Sequence, residues 1–428
     1  MSILVQKGGE KIVVTDKDLK ILLENMLEAI PEVLNKVLIV PPDITRLNSH
    51  AGKITEILYE LLTPQSHVDI IPALGTHVPM NDNELRSMFG EKIPLNCFIK
   101  HNWRKDVVKK GTVSGKLLHE WSEGKVNYDV DVEVNKILFD NYDVILSIGQ
   151  IVPHEVVGMA NYTKNIMVGI GGADTINKSH FLGAVYNMER IMGQARNPVR
   201  KLFDYGLHTF LSDLPIYYLH TVMQRDNETE KMLMRGFYAG SGDEVFLKPC
   251  KLCKKVNINI LDDSLQKVIV YLDPEEFKST WLGNKAVYRT RMAIADGGEL
   301  IVLAPALKEF GEDPEIDRLI RKYGYNGTKS TLKAVEENAD LRGNLSAAAH
   351  LIHGSSEGRF KITYCPGNSI SEKEIEDVGF NYASLEEMQK KYDPNKLADG
   401  YNTMPDGEEI FYISNPALGL WGDKANFI

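Results

Sequence analysis

Side chains able to move protons, grip oxyanions or take a covalent group gather in a few stretches of this chain, and the densest runs from Ser147 to His180 (SIGQIVPHEVVGMANYTKNIMVGIGGADTINKSH). There His154, Lys164 and His180 fall among two short apolar runs and many glycines, where an ordinary core segment would turn its apolar residues to one face. Pro153 holds Val152 extended, so the chain can aim the histidine that follows. Lys164, in TKNIMVGIGG, has apolar neighbours, and a buried lysine is costly unless paired, neutral or covalently modified. His180 could ligate a metal as a neutral imidazole. No carboxylate or cysteine stands at ligand spacing beside it, so a metal there must draw its other ligands from a cofactor.

Three further places carry candidate groups. In PPDITRLNSH, Arg46 can hold a carboxylate or phosphate with both arms of its guanidinium, and Asp43 can orient a neighbour; a plain surface ion pair accounts for them equally well. His77, between Gly75 and Pro79, suits general acid/base work, although a lone histidine is more often structural. Trp281 and Lys285, four apart in a predicted helix, could close over an anionic substrate, or be a core tryptophan edged by a solvated lysine. GIGGAD does not complete a dinucleotide fingerprint. Cys250 and Cys253 form a lone C-x-x-C that reads as two plain thiols near a strand.

The elements that must position these groups alternate. Apolar runs at Val37–Val40, Val68–Pro72, Val144–Ile148 and Ile166–Ile170 read as buried strands. Helical spacing marks Asp16–Asn35, capped by Thr15 or Asp16, then Ala51–Leu62 and a helix starting near Asp82 with Asn81 or Asp82 as cap. A strand pair is expected near the N-terminus. Arg46 and His77 then lie in exit loops at the carboxyl ends of adjacent strands, where open α/β sheets bind ligands. This pattern predicts α/β architecture with a mostly parallel sheet. The texture changes near residue 260. A strand from Lys267, a long helix Pro274–Ala295, a strand Leu300–Ala304, helices over 313–323, 329–337 and 345–352, and a strand 360–365 make a second α/β unit. The expected domains are 1–264 and 265–408, with the tail 409–428 packing back on the first, and the active site in the crevice between them.

Bulk composition narrows the class. A chain of 428 residues with 43% apolar and 25% charged residues builds two ordinary globular domains, not a disordered protein. A net charge of −10 argues against general affinity for nucleic acid or anionic membranes. The absence of a long apolar stretch or signal-peptide pattern, with four cysteines in all, predicts a cytoplasmic protein.

Taken in order, DITR (43–46), GTH (75–77), PHEVVG (153–158), the lysine of TKN, TI…SH ending at His180, NPVR (197–200), and Lys285 twelve residues before Gly297 resemble the lactate racemase family of 2-hydroxyacid racemases and epimerases. The resemblance implies nickel and a nickel-pincer nucleotide (pyridinium-3-thioamide-5-thiocarboxylic acid mononucleotide), tethered through a thioamide to Lys164, with nickel bound by His180. Asp43 and Thr45 would contact that cofactor. His77 and His154 would be the paired acid/base groups, one for each substrate face, Arg46 would polarise the substrate oxygen, and Lys285 with Trp281 would hold the substrate. The implied reaction is isomerisation at C2 by reversible hydride transfer, and the implied partners are a small 2-hydroxy acid and the proteins that make the cofactor. Three departures stand out: Trp281 replaces a tyrosine, Asn161-Tyr162-Thr163 replaces the glycines usual before the tethering lysine, and no tryptophan stands near Gly343–His350. These favour a substrate larger than lactate, such as a sugar acid. They also leave an alternative, a non-catalytic carboxylate-binding or sensing protein that kept the fold and lost the cofactor.

Overall fold

The structure is a computed structural model that describes residues 3–226, 229, 231–417 and 419–424. It divides into two compact units, Met1–Ser179 with Ile191–Asn257, and His180–Arg190 with Ile258–Ile428. Both are α/β, each built on a six-stranded sheet in which parallel pairs predominate.

In the first unit the strands are β1 (Ile3–Gly8), β2 (Lys36–Val40), β3 (His67–Ile70), β4 (Val107–Val113), β5 (Val130–Asn135), β6 (Val144–Gln150), β7 (Pro153–His154), β8 (Gly158–Met159), β9 (Ile216–Arg225) and β10 (Met232–Gly240). The main sheet runs β1-β10-β9-β6-β2-β3, parallel from β9 to β3. The partner of the N-terminal strand is β10, more than 200 residues away, and not a second N-terminal strand.

Both sheet faces are covered, which is why β2 reads KVLIV without alternation. On one face Val37, Ile39, Leu146 and Leu219 meet Leu19, Leu23 and Met26 of the helix Asp16–Ala29 and Ile54 and Leu58 of the helix Ala51–Leu62. All of these side chains are fully buried, and each contributes about 2 kcal/mol of hydrophobic stabilisation. The helix Asp16–Ala29 is fixed at its start by a capping box between Thr15 and Asp18, and the helix Asp82–Phe89 by one between Asn81 and Glu84. The opposite face carries Ser147, Gly149, Tyr218 and His220 in register across β6 and β9, and it positions the candidate site.

The second unit has β11 (Ile258–Leu261), β12 (Leu265–Tyr271), β13 (Ile294–Ala304), β14 (Lys361–Pro366), β15 (Asn381–Tyr382), β16 (Gly400–Thr403), β17 (Glu409–Ile413) and β18 (Leu420–Asp423), with sheet order β15-β14-β13-β12-β17-β16. In the tail, β17 completes this sheet and β18 pairs in parallel with β11; residues 425–428 lie outside the described residues.

Two expected elements differ. The run 166–170 is not a strand but a π-helix, Asn165–Gly169. The long helix expected over 274–295 is two short ones, Thr280–Gly283 and Lys285–Thr290, parted at Asn284, and β13 already starts at Ile294. Asn284 sits there because its side chain is engaged, its Oδ1 accepting from the Tyr364 hydroxyl at 2.7 Å. Cys250 and Cys253 are buried on the helix Glu244–Asn257, where burial raises the Cys250 thiol well above its ordinary pKa and makes it inert. Among the described residues no helix is long and apolar enough to cross a membrane.

Two core histidines make the first unit acid-sensitive. His101 donates through Nε2 to the Gly171 carbonyl (3.1 Å) and accepts at Nδ1 from the Asn135 amide (2.8 Å), while His220 donates through Nδ1 to the Val245 carbonyl (3.0 Å). Burial holds both rings neutral, with pKa values pushed down to about 4. A base whose folded pKa lies below its unfolded value of about 6.5 adds no penalty above that pH, and costs stability progressively as pH falls toward 4, up to about 3 kcal/mol per ring. The urea midpoint of unfolding is therefore expected to drop between about pH 6.5 and 4. In His220→Phe the drop is shallower, even though the midpoint near neutrality is itself lower; an equally steep drop in that variant would refute the assignment.

Candidate active site

Lys164 stands at the centre of the candidate site, and its loop is laid across the sheet face residue by residue. Asn165, immediately after it, donates through Nδ2 to the Val40 carbonyl of β2 (3.1 Å) and to Ser147 Oγ of β6 (2.9 Å). Asn161 lies over Gly149 so closely that a Cβ there would sit 1.4 Å from its Nδ2, so only glycine fits. The Tyr162 ring packs on Tyr218 (centroids 4.5 Å apart) and stacks on Phe246 (5.0 Å). Directly after the lysine the chain winds into the π-helix, a local form that recurs at functional sites.

Asn161 and Tyr162 both adopt left-handed backbone, with φ of 66° and 59°. Asparagine tolerates this conformation, and here its Oδ1 accepts from the Tyr162 amide at 2.8 Å; for tyrosine it costs about 1–2 kcal/mol. The backbone suited to the expected glycines is thus kept by side chains that are held elsewhere. Arg200, 2% exposed, donates to the Met159 carbonyl (2.7 Å), the Asn161 carbonyl (3.1 Å) and Thr163 Oγ1 (2.6 Å). Thr163 in turn donates to Asp204 (2.7 Å).

The exit loops of β2 and β3 meet this segment. Gly75, at a φ of +60°, donates its amide to the Gly169 carbonyl (2.8 Å), tying the β3 loop to the end of the π-helix. Across those loops His77 Nδ1 lies 2.6 Å from Asp43 Oδ2, and Thr45 donates to the other Asp43 oxygen at 2.5 Å. Asp43 is 4% exposed. Burial alone would raise its pKa, but the His77 and Thr45 hydrogen bonds and the Arg46 charge outweigh burial and hold it ionised, below the usual value. An ionised Asp43 fixes the His77 proton on Nδ1 and puts the ring's lone pair on Nε2.

His154 has the opposite arrangement. In the short β7–β8 ladder its Nδ1 accepts the Val156 amide hydrogen at 3.1 Å, with Glu155 Oε2 3.6 Å away, so the neutral ring carries its proton on Nε2. Lys164 keeps partial solvent access while its amine is crowded. Burial first, then the positive charge of Arg46, pull its pKa down to about 8; Arg200 acts in the same direction, and Glu155 and Asp43 oppose. About half of such amines are unprotonated at pH 8, where an ordinary lysine is almost wholly charged.

The remaining expected site residues belong to the second unit. His180 lies on the helix Ala173–Tyr186. Near it His353 is buried, its Nε2 has no hydrogen-bond partner among the described residues, and burial with the charges of Arg291 and His180 drives its pKa to about 3. Arg291 pins this region, donating to Glu189 Oε1 (2.7 Å) and the Ser355 carbonyl (3.1 Å). Trp281 packs on the His350 ring, centroids 4.5 Å apart, and the Tyr325 hydroxyl lies 3.0 Å from His350 Nε2. Lys285 reaches Glu276 at 3.4 Å.

Asp43, Thr45, Arg46, His77, His154 and Lys164 thus all belong to the first unit, and His180, Trp281 and Lys285 to the second. Sequence reasoning passed over Glu155, Asp204 and His353, and met Tyr162 only as a replacement for glycine and His350 only as the end of a stretch lacking tryptophan. It noted Arg200 only as the last letter of NPVR, the third residue of a helix capped by Asn197. Among the described residues no group of three or more His, Cys, Asp or Glu side chains could hold a metal ion.

A family model described as the lactate racemase N-terminal domain matches residues 10–193, and no curated protein matches the chain. Among solved structures the chain is similar to a protein from Thermotoga maritima (23% identity, 98% of this chain and 100% of that one covered, TM-score 0.82). It is also similar to the lactate racemase apoprotein from Thermoanaerobacterium thermosaccharolyticum (18% identity, 96% and 93% covered, TM-score 0.71). At these identities the two structures speak to fold. Residues 10–193, which carry the Asp43–His77 pair, His154 and Lys164, thus match the lactate racemase N-terminal domain.

Proposed function

We propose that this protein is a racemase or epimerase that inverts C2 of a 2-hydroxy acid, with a nickel-pincer nucleotide joined to Lys164. The observation that carries the reading is the Lys164 amine, depressed to about 8 and near the buried Asp43 carboxylate that holds the half-buried His77. The residues present fit the group. An amine lowered to about 8 offers more of its unprotonated form near neutrality than an ordinary lysine and can be acylated, Arg46 supplies positive charge for an anionic nucleotide, and His180 offers an imidazole to nickel. A cofactor that brings its own metal ligands also suits a chain without a three-residue cage among its described residues. When bound, the nucleotide supplies a reversible hydride acceptor, so that C2 of the substrate can become planar and re-form in either configuration.

The chain's own residues handle the proton and the substrate oxygens. His77, its Nδ1–H held by Asp43, takes the hydroxyl proton at Nε2; His154, protonated on Nε2, returns one to the keto oxygen. Opposite tautomers make one ring the base and the other the acid before substrate arrives, and the roles exchange in the reverse direction. Arg46 polarises the substrate oxygen, and Lys285 and Trp281 of the second unit hold the carboxylate and carbon chain. The polar set around Trp281, with His350, Tyr325 and Asn284, supports a hydroxylated substrate larger than lactate, such as a sugar acid. Asn161 and Tyr162, which stand where glycines were expected, adopt left-handed backbone of the kind that glycine takes without strain, and this supports the cofactor-bearing reading over the cofactor-free alternative.

Protein produced with the cofactor-synthesis proteins is expected to exceed its sequence mass, with the adduct absent from Lys164→Ala. Fed a panel of 2-hydroxy acids in deuterated water, it should invert C2 with the C2 hydrogen retained. Full activity with an unmodified Lys164, or deuterium at C2, would sink the proposal. Asp43→Asn, which can no longer hold the proton on Nδ1 of His77, is expected to lower kcat about 10²- to 10⁴-fold. KM should stay close to its original value and the mass adduct should remain; a kcat within a factor of two would remove Asp43 from the mechanism.

A further inference from the structure

We propose that Arg200 is the positioning residue for Lys164: its guanidinium holds Met159–Thr163 in the one backbone path that delivers the lysine amine to the carboxyl ends of β2 and β6. The role rests on reading Lys164 as the anchoring amine. Two adjacent non-glycine residues in the left-handed region do not stay there unaided, and the contacts that hold them converge on this side chain. Arg200 takes the carbonyls on both sides of the bend, Met159 and Asn161, and the hydroxyl of Thr163, the residue before the lysine. Its guanidinium lies 4.4 Å from the centre of the Phe246 ring, and that ring stacks on Tyr162, so the same residue backs the side chain of the strained position. Thr163 passes the constraint on to Asp204, which fixes the hydroxyl's direction at the first turn of the helix carrying Lys164.

A planar fork is required for this geometry, because three acceptors lie around one buried side chain and an ammonium cannot reach them in the same plane. The charged groups bearing on Lys164 come from three segments: Arg46 and Asp43 from the β2 exit, Glu155 from the β7–β8 turn, and Arg200 itself. Loss of Arg200 therefore acts on the lysine twice, by removing one positive charge and by letting the amine leave the crowded position that disfavours protonation.

The test uses apoprotein, so it stays readable whether or not the loaded enzyme proves to be a racemase. A short pulse of an amine-acetylating reagent across about pH 6 to 10, followed by peptide mass spectrometry, gives the half-labelling pH of Lys164, with exposed Lys116 as internal reference. The native chain should half-label Lys164 near pH 8. In Arg200→Gln that value is expected to rise by about one unit or more with Lys116 unchanged, and Arg200→Lys should not restore it. A purely structural role would lower the melting temperature and leave the Lys164 profile in place; a folded Arg200→Gln whose profile superimposes on the native one overturns the proposal. Should Arg200→Gln fail to fold, Thr163→Val, which keeps the side-chain shape and deletes only the hydroxyl link, is expected to shift the profile in the same direction, and an unshifted profile there overturns it equally.

Discussion

A buried guanidinium is costly unless most of its donors are met, and that requirement organises the first unit. Arg200 has nearly no solvent contact, and burial lowers its pKa and raises that of Asp204, so neither charge is comfortable alone. Its two terminal nitrogens are met by the carbonyls of Met159 and Asn161 and the hydroxyl of Thr163 in the Lys164 loop, while Nε has no hydrogen-bond partner among the described residues. In return the loop acquires a single conformation. Everything that the site asks of Lys164, from the π-helix after it to the anchoring of Asn165 on two strands, depends on that exchange of hydrogen bonds.

The sheet supplies the second constraint. Parallel strands β2, β3 and β6 end side by side, so Asp43, His77 and Lys164, distant in sequence, arrive at one edge without any of them needing a long side chain to bridge the gap. The two histidines then differ through their neighbours alone. One faces a carboxylate held ionised in a buried position, the other a backbone N–H, and this difference in hydrogen-bond polarity sets which ring nitrogen carries the proton. No charge has to be buried on either ring to obtain it.

Much of this was legible in the sequence, and the failures have physical causes. Strand and exit-loop units were readable because fully apolar runs followed by Pro, Gly and Asp residues leave few alternatives, which also located Arg46 and His77. The caps at Thr15 and Asn81, each one of two candidates in the sequence, were readable because they are local. The run 166–170 was misread as a strand because four apolar residues and a glycine have no period; Asn165 decides it by bonding to Val40 and to Ser147, 125 and 18 residues away. The break at Asn284 likewise depends on Tyr364, 80 residues on. Arg200 entered only as part of NPVR, since nothing local announces that three acceptors wait for it. His350 was visible only as an absence, the missing tryptophan, until its ring was found against Trp281.

The excursion of residues 180–190 into the second unit bears on how the chain is made. Glu189 leaves the ribosome 102 residues ahead of Arg291, its ion-pair partner, so at about 5–20 residues per second it waits roughly 5–20 s for the strands and helices it belongs to. The first unit can finish its own sheet during that interval, because β9 and β10 follow soon after. The segment that includes His180 is thus the last part of the early chain to find its place, and the order of synthesis puts the Lys164 loop in position before it.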